Sequence, residues 1–355
     1  MLEREIKYRE SNALNYSRLK KLKYNSNPQN FLIDTPIESK SITIGSLVDC
    51  LLTSKDEFTK DYYVTELEIL PSDGIKKIID ELYEQIKNRK EVDVILPINE
   101  YANIFKEFDS FKNYQRNYKE ETKIKKIVEE GSKYFNDLIL CGNRTVVTKE
   151  DYNLAIAVAD SLKSGNQTSW AFQIDLPNVE IYYQYPIYFT YNDVECKALI
   201  DIFAVDRVKK VLNIIDIKTT SGETLDFHFN VRNFDYDWQM GFYFLAATSI
   251  TNNPEHEFYG YKIECFFVVE STTNIGSPVT FECTKEFIEF ALTGRPTIEL
   301  KNENKDHSIV YSKVEGVFDL IEKYKYYSKN GFDKNLRVAK SNSFFKLDWY
   351  GIVDD

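Results

Sequence analysis

The feature that most constrains this chain is a pair of apolar segments around a short polar tip. VECKALIDIFAVD (194–206) and VLNIIDIKTT (211–220) are separated only by Arg207, Val208, Lys209 and Lys210. Four residues cannot carry a crossover, so the two segments are expected to be adjacent antiparallel strands. A four-residue loop sets the register: Asp206 faces Val211, Val205 faces Leu212, and Asp201 faces Asp216. Directly opposed residues lie on one sheet face with Cβ atoms about 4.5–5.5 Å apart. Side chains alternate along a strand, so Lys218 points the same way as Asp216.

Three charged groups thus meet in a sheet whose other residues (Ile214, Ile215, Ile217) are apolar. Opposed carboxylates repel, and burying them is costly. A divalent cation between them resolves the conflict, since Mg²⁺ takes a couple of carboxylates together with water and phosphate oxygens. On a solvated face, a plain Asp216–Lys218 salt bridge resolves it too. With a cation, Lys218 is placed to orient or deprotonate a water, or to neutralise charge developing on a phosphate.

The rest of the chain alternates between helical and strand patterns. A short helix is expected over 12–22, opened by Ser11 or Asn12 and stopped before Pro28. Residues 41–54 carry apolar residues at helical spacing. Residues 73–130 are charged and helical in pattern, with a long helix expected around 105–130. Thr148 is an N-cap for a helix that Gly165 ends. Strands are expected over VEIYYQYPIYFTY, KIECFFVVEST and PVTFECT, with helices from about 235 to 248 and from 285, and a helical tail over 302–355.

Composition narrows the class. Of the 355 residues, 43% are hydrophobic and 28% charged, as in globular proteins. No run approaches the roughly 20 apolar residues that span a bilayer, and the charged N-terminus has no signal-peptide core. Five dispersed cysteines, none in a CxxC pair, are expected to be reduced thiols in a cytosol. The net charge of −11 argues against a DNA-coating protein. Basic residues do cluster locally, at Lys20, Lys21 and Lys23; at Lys123, Lys125 and Lys126; and at Arg207, Lys209 and Lys210.

CKALIDIFAVD followed by IIDIKTT resembles the second and third motifs of the PD-(D/E)xK nucleases, and most of all the RecE-like and RecB-like phage exonucleases. Asp201 takes the first acidic position, Asp216 the second and Lys218 the lysine. The resemblance implies the backbone carbonyl of Ile217 as a further metal ligand. WQMGFY matches the family's Q-x-x-x-Y signature. Gln239 and Tyr243 lie one helical turn apart, and the family turns that face to the active site and DNA backbone. ITIGSLVDCLL is similar to the G-x-x-x-H helix, with Gly45 matching and Asp49 standing where the family has a metal-binding His. The strand around Glu180 resembles the one leading into the catalytic hairpin, which makes Glu180 a candidate metal-site residue.

The fold implied is α/β, a central mixed β-sheet flanked by helices in a restriction-endonuclease-like core, with an N-terminal helical insertion. Residues 1–65 are expected to be the N-terminal helical part of that core, 66–147 the insertion, 148–300 the catalytic core, and 301–355 a C-terminal helical extension. The activity implied is Mg²⁺- or Mn²⁺-dependent hydrolysis of DNA from duplex ends, in phage-type recombination with a single-strand annealing protein as partner. A homo-oligomeric, ring-like assembly and a cytoplasmic setting, in a bacterium or a phage-infected cell, go with it. A structure-specific or single-strand nuclease of the same superfamily, and a catalytically inactive DNA-binding scaffold, are the alternatives.

Overall fold

The computed structural model describes residues 3–23, 27–33, 39–87, 96–173, 178–295, 298–301, 308–311, 314–332, 346–348 and 351–353. The described residues fall into two compact units, one within 40–159 and the other within 3–39 and 160–353.

The first unit is mainly helical. The helix Asp73–Lys87 is strongly amphipathic, and its apolar stripe (Ile75, Ile78, Ile79, Leu82, Ile86) is buried. That stripe packs with Ile127, Phe135 and Leu138 of the helix Glu120–Cys141. Strands β1 (Tyr62–Thr65) and β2 (Thr145–Thr148) pair in parallel. This pairing explains a departure from the expected boundaries. Residues 40–65 group with the helical insertion rather than with the catalytic core, because β1 is bonded to β2 at the far end of that segment. The long helix expected around 105–130 is also broken, into Ala102–Phe105, Asp109–Asn113 and the separate helix Glu120–Cys141. Gln115 takes a left-handed φ of 37° between the last two.

The second unit is built on a five-stranded sheet: β3 (Val179–Tyr191), β4 (Val194–Asp206), β5 (Val211–Thr220), β6 (Lys262–Ser271) and β7 (Val279–Glu282), in that order. All pairs are antiparallel except β5–β6, which is parallel. The mixed sheet flanked by helices is the one expected. Strand β5 is central, and Val211, Leu212, Ile214, Ile215 and Ile217 are buried on its two faces. Pro186 is tolerated because β3 is an edge strand. The helix Tyr236–Thr251 lies on the sheet, burying Trp238, Met240, Phe242, Ala246 and Ala247. Each large apolar side chain buried in this way contributes about 1.5–3 kcal/mol.

The N-terminal segment belongs to this unit. Its short helix, Tyr16–Leu19, begins at the N-cap Asn15, later than Ser11 or Asn12. Leu14 is held instead as an isolated bridge to Cys196 on β4. Of the helical tail expected over 302–355, residues 302–307, 312–313, 333–345, 349–350 and 354–355 lie outside the described residues. Two short antiparallel pairs, β8 (Ile298–Lys301) with β9 (Ser308–Tyr311) and β10 (Lys346–Asp348) with β11 (Gly351–Val353), flank the helix Val317–Asn330. Among the described residues no helix is long and apolar enough to cross a membrane.

Candidate functional site

The hairpin β4–β5 has the register read from its loop. Asp206 pairs with Val211 and Val205 with Leu212, and the ladder runs to Ile202 opposite Ile215. The tip is closed by the Asp206 carboxylate, whose Oδ1 accepts the Val208 and Lys209 N–H groups at 3.0 and 2.8 Å. Lys210 takes the left-handed conformation that returns the chain.

At the next position along, Asp201 and Asp216, backbone pairing stops. The Asp201 carboxylate substitutes for it, Oδ2 accepting the Ile217 N–H at 3.0 Å. Strand β3 covers one edge of β4 from Val179 to Tyr191, with a break in the pairing at Gln184 and Asp201. The other edge has two partners in turn: β5 beside residues 202–206, and Leu14 beside 195–197. Between them an opening is left beside 198–201. A cavity of about 570 Å³ lies there, lined by Arg9, Tyr16, Lys197, Asp201, Gln239 and Tyr243 among others.

Asp216 is 0% exposed. Its Oδ1 accepts from Gln239 Nε2 at 2.9 Å, and the same amide nitrogen donates to the Tyr243 hydroxyl at 2.9 Å. Its Oδ2 forms an ion pair with the Lys218 ammonium but takes no directed hydrogen bond. Lys218 also lies 4.7 Å over the Tyr236 ring. Burial pushes the Asp216 carboxyl above the usual aspartate range, against the pull of Lys218 and Asp201. Burial also works against the Lys218 charge, yet the two carboxylates outweigh it and hold the ammonium above its usual range. Burial, reinforced by the same carboxylates, drives the Tyr243 phenol well up.

Asp201, Asp216, Lys218, Gln239 and Tyr243 are therefore gathered in one place, and Ile217 brings its backbone with them. Glu180 is not, which corrects its placement at the metal site. It pairs across from Val205, four residues from Asp201 or about 13 Å along the strand. There Arg207 grips it with two bonds of 2.9 Å and, with Tyr182, holds its carboxyl down to about 2. Asp49 stands in the first unit, on the helix Lys40–Thr53. Among the described residues no group of three or more His, Cys, Asp or Glu side chains converges as a metal site would require.

No protein-family model matches the chain, and no curated protein matches it. Among solved structures it is similar to a candidate exonuclease from Eubacterium rectale, over 81% of this chain and 80% of that one, at 12% identity and a TM-score of 0.40. It is also similar to a Vibrio cholerae protein, over 68% of this chain and 49% of that one, at 13% identity and a TM-score of 0.20. At such values the chemistry has to be read from the site itself.

Three participants were not picked out from the sequence. Lys197 is 4% exposed. Its ammonium donates to the Ser11 carbonyl at 2.7 Å and to the Tyr8 carbonyl at 2.5 Å. Burial, with Arg18 and Arg9 nearby, lowers its pKa. Its signal was present, as a lysine four residues before Asp201 on the same face of an apolar strand. Arg9 had no such signal, because only the folded N-terminal segment brings it to the cavity. Gln184 breaks an aromatic and apolar run on β3 and also lines the cavity. A second cavity of about 290 Å³ shares Arg9 and Lys197 with the first, adds Arg18 and Lys21, and has no acidic residue in its lining. A larger one, about 700 Å³, opens at 185–190 and 249–256; it has no carboxylate and no lysine or arginine.

Proposed function

We propose that the chain is a metal-dependent DNA exonuclease acting on duplex ends. The observation that carries it is the carboxylate pair Asp201–Asp216 with Lys218, of which Asp201 lines a cavity that Arg9 also lines while Asp216 is buried. An acidic group able to help hold a cation and a basic group able to take phosphate share one opening. The donors on offer are hard oxygens, suited to Mg²⁺ or Mn²⁺ rather than to a thiolate-loving metal. The Asp216 carboxylate, already held by Lys218 and Gln239 and opposite Asp201, has the donor chemistry for such an ion.

Asp201, Asp216 and the Ile217 carbonyl would hold the cation, whose charge would acidify a water and offset charge growing on the phosphate. Lys218, held as an ammonium by the two carboxylates, is placed to orient that water and to offset charge growing on the phosphate. Gln239 fixes the Asp216 carboxylate, and Tyr243 fixes Gln239. Arg9, on the cavity wall, is placed to neutralise a phosphate of the bound strand, while Lys197 holds the N-terminal segment through the Ser11 and Tyr8 carbonyls. The choice of duplex ends, the recombination setting and an annealing partner rest on the sequence resemblance.

The test is incubation with linear duplex DNA and Mg²⁺ or Mn²⁺, beside a closed circle and a Lys218→Ala variant. Loss of the linear DNA with the circle spared, and at least about 10²-fold slower cleavage by the variant, is the expected result. Cleavage of the circle would mean an endonuclease. No cleavage under either metal would leave a DNA-binding scaffold.

A further inference from the structure

We propose that Gln184 is the third side-chain oxygen donor of the cation site, beside Asp201 and Asp216. This rests on the function proposed above, in that it takes the site to hold a cation.

The sheet register puts the three residues in one row. On β3, Tyr183 pairs with Ile202 and Tyr185 with Ile200, so Gln184 stands opposite Asp201. On β5, the position after Ile202–Ile215 sets Asp216 opposite Asp201 from the other side. Neighbouring rows are apolar or aromatic.

The backbone at Gln184 is unusual. Its φ is 48°, left-handed, in the middle of a 13-residue strand. An inserted residue would shift the register, as in a bulge. Here the pairing is the same on both sides, so no insertion accounts for it. A non-glycine residue in this conformation is strained, and such strain gathers at sites that must aim a side chain. Gln184 is 6% exposed and lines the cavity that Asp201 lines.

The donor count leaves room for it. Two carboxylates and one carbonyl leave positions on an octahedral cation that water, phosphate or a further neutral oxygen can fill. Among the described residues, no third His, Cys, Asp or Glu joins them. Glu180 is held by Arg207 at the far end of the strand pair. A neutral amide oxygen adds a donor without adding a third negative charge beside two carboxylates that already repel.

The test is Mn²⁺ binding to the full chain without DNA, followed by electron paramagnetic resonance, together with thermal unfolding and linear-duplex cleavage. Gln184→Gly removes the oxygen and relaxes the left-handed residue. It should weaken Mn²⁺ binding about tenfold or more while Tm stays level or rises. Gln184→Glu keeps an oxygen and should bind Mn²⁺ at least as tightly as the native chain. If the glycine variant binds Mn²⁺ like the native chain, or the glutamate variant loses binding as the glycine one does, the role of Gln184 is overturned while the nuclease proposal stands. A native chain that neither binds Mn²⁺ nor cuts DNA overturns both.

Discussion

Asp216 and Lys218 are the two residues whose environment says most about them. A fully buried carboxylate beside a nearly buried ammonium tolerates loss of either partner badly. Lys218→Met should cost about 3–5 kcal/mol at pH 7, because it leaves an uncompensated internal charge. The double variant Asp216→Asn with Lys218→Met should recover most of that stability and none of the activity. Urea denaturation beside a cleavage assay checks both, and equal stability of the two variants would contradict the pairing. Asp237, in the first turn of the helix Tyr236–Thr251, makes a prediction about pH. Burial raises its carboxyl from 3.8 to about 6. Its contribution to stability is therefore complete below pH 3.8 and lost as pH rises through about 6. Asp237→Asn should gain Tm relative to the native chain as pH rises from 4 to 8. A Tm difference that does not change over that range would count against it.

The hairpin β4–β5 was legible as an element because its information is local: a four-residue tip, period-two alternation, and carboxylates where apolar residues belong. Glu180 was misplaced because nothing in the sequence fixed how β3 slides along β4, and a shift of four residues moves a side chain about 13 Å. The start of the N-terminal helix was misjudged because Leu14 pairs with a strand nearly two hundred residues away. The Gln-x-x-x-Tyr turn was legible as a helix face, but what lies behind it was not. Gly241 sits between Gln239 and Tyr243, and a Cβ there would meet the Ala291 Cβ at 2.9 Å. The helix Lys285–Thr293 comes this close only because residue 241 has no side chain. Gly241→Leu should push the two helices apart, cost about 1–3 kcal/mol, and lower activity through displacement of Gln239. Guanidinium unfolding with single-turnover cleavage would show it, and an unchanged midpoint would refute the close packing.

At the scale of the whole molecule the charge balance looked unfavourable for DNA, at 45 basic against 56 acidic residues. On the proposed function, what counts is where the basic groups sit. The N-terminal segment and β4 bring Arg9, Arg18, Lys21 and Lys197 to two adjoining cavities. Binding of a short duplex, measured by fluorescence anisotropy between 50 and 200 mM salt, should therefore weaken steeply, with a log–log slope of about −0.9 for each phosphate neutralised. Arg9→Ala should reduce the magnitude of that slope by about 1. An unchanged slope would remove Arg9 from the DNA path. Composition alone could not reveal this, since net charge records a sum and binding depends on where the charges sit.

The point at which β5 leaves β4 also bears on how the chain folds. Pairs nearest a turn close the shortest loops and are the cheapest to form first. Zipping from Arg207–Lys210 would add the five pairs as far as Ile202–Ile215 and then meet two opposed carboxyl groups. The hairpin runs out there, and the opening needs no separate element to prop it apart. Refolding should thus reach the cleft as the end point of local pairing, with the helix Tyr236–Thr251 arriving later to supply Gln239.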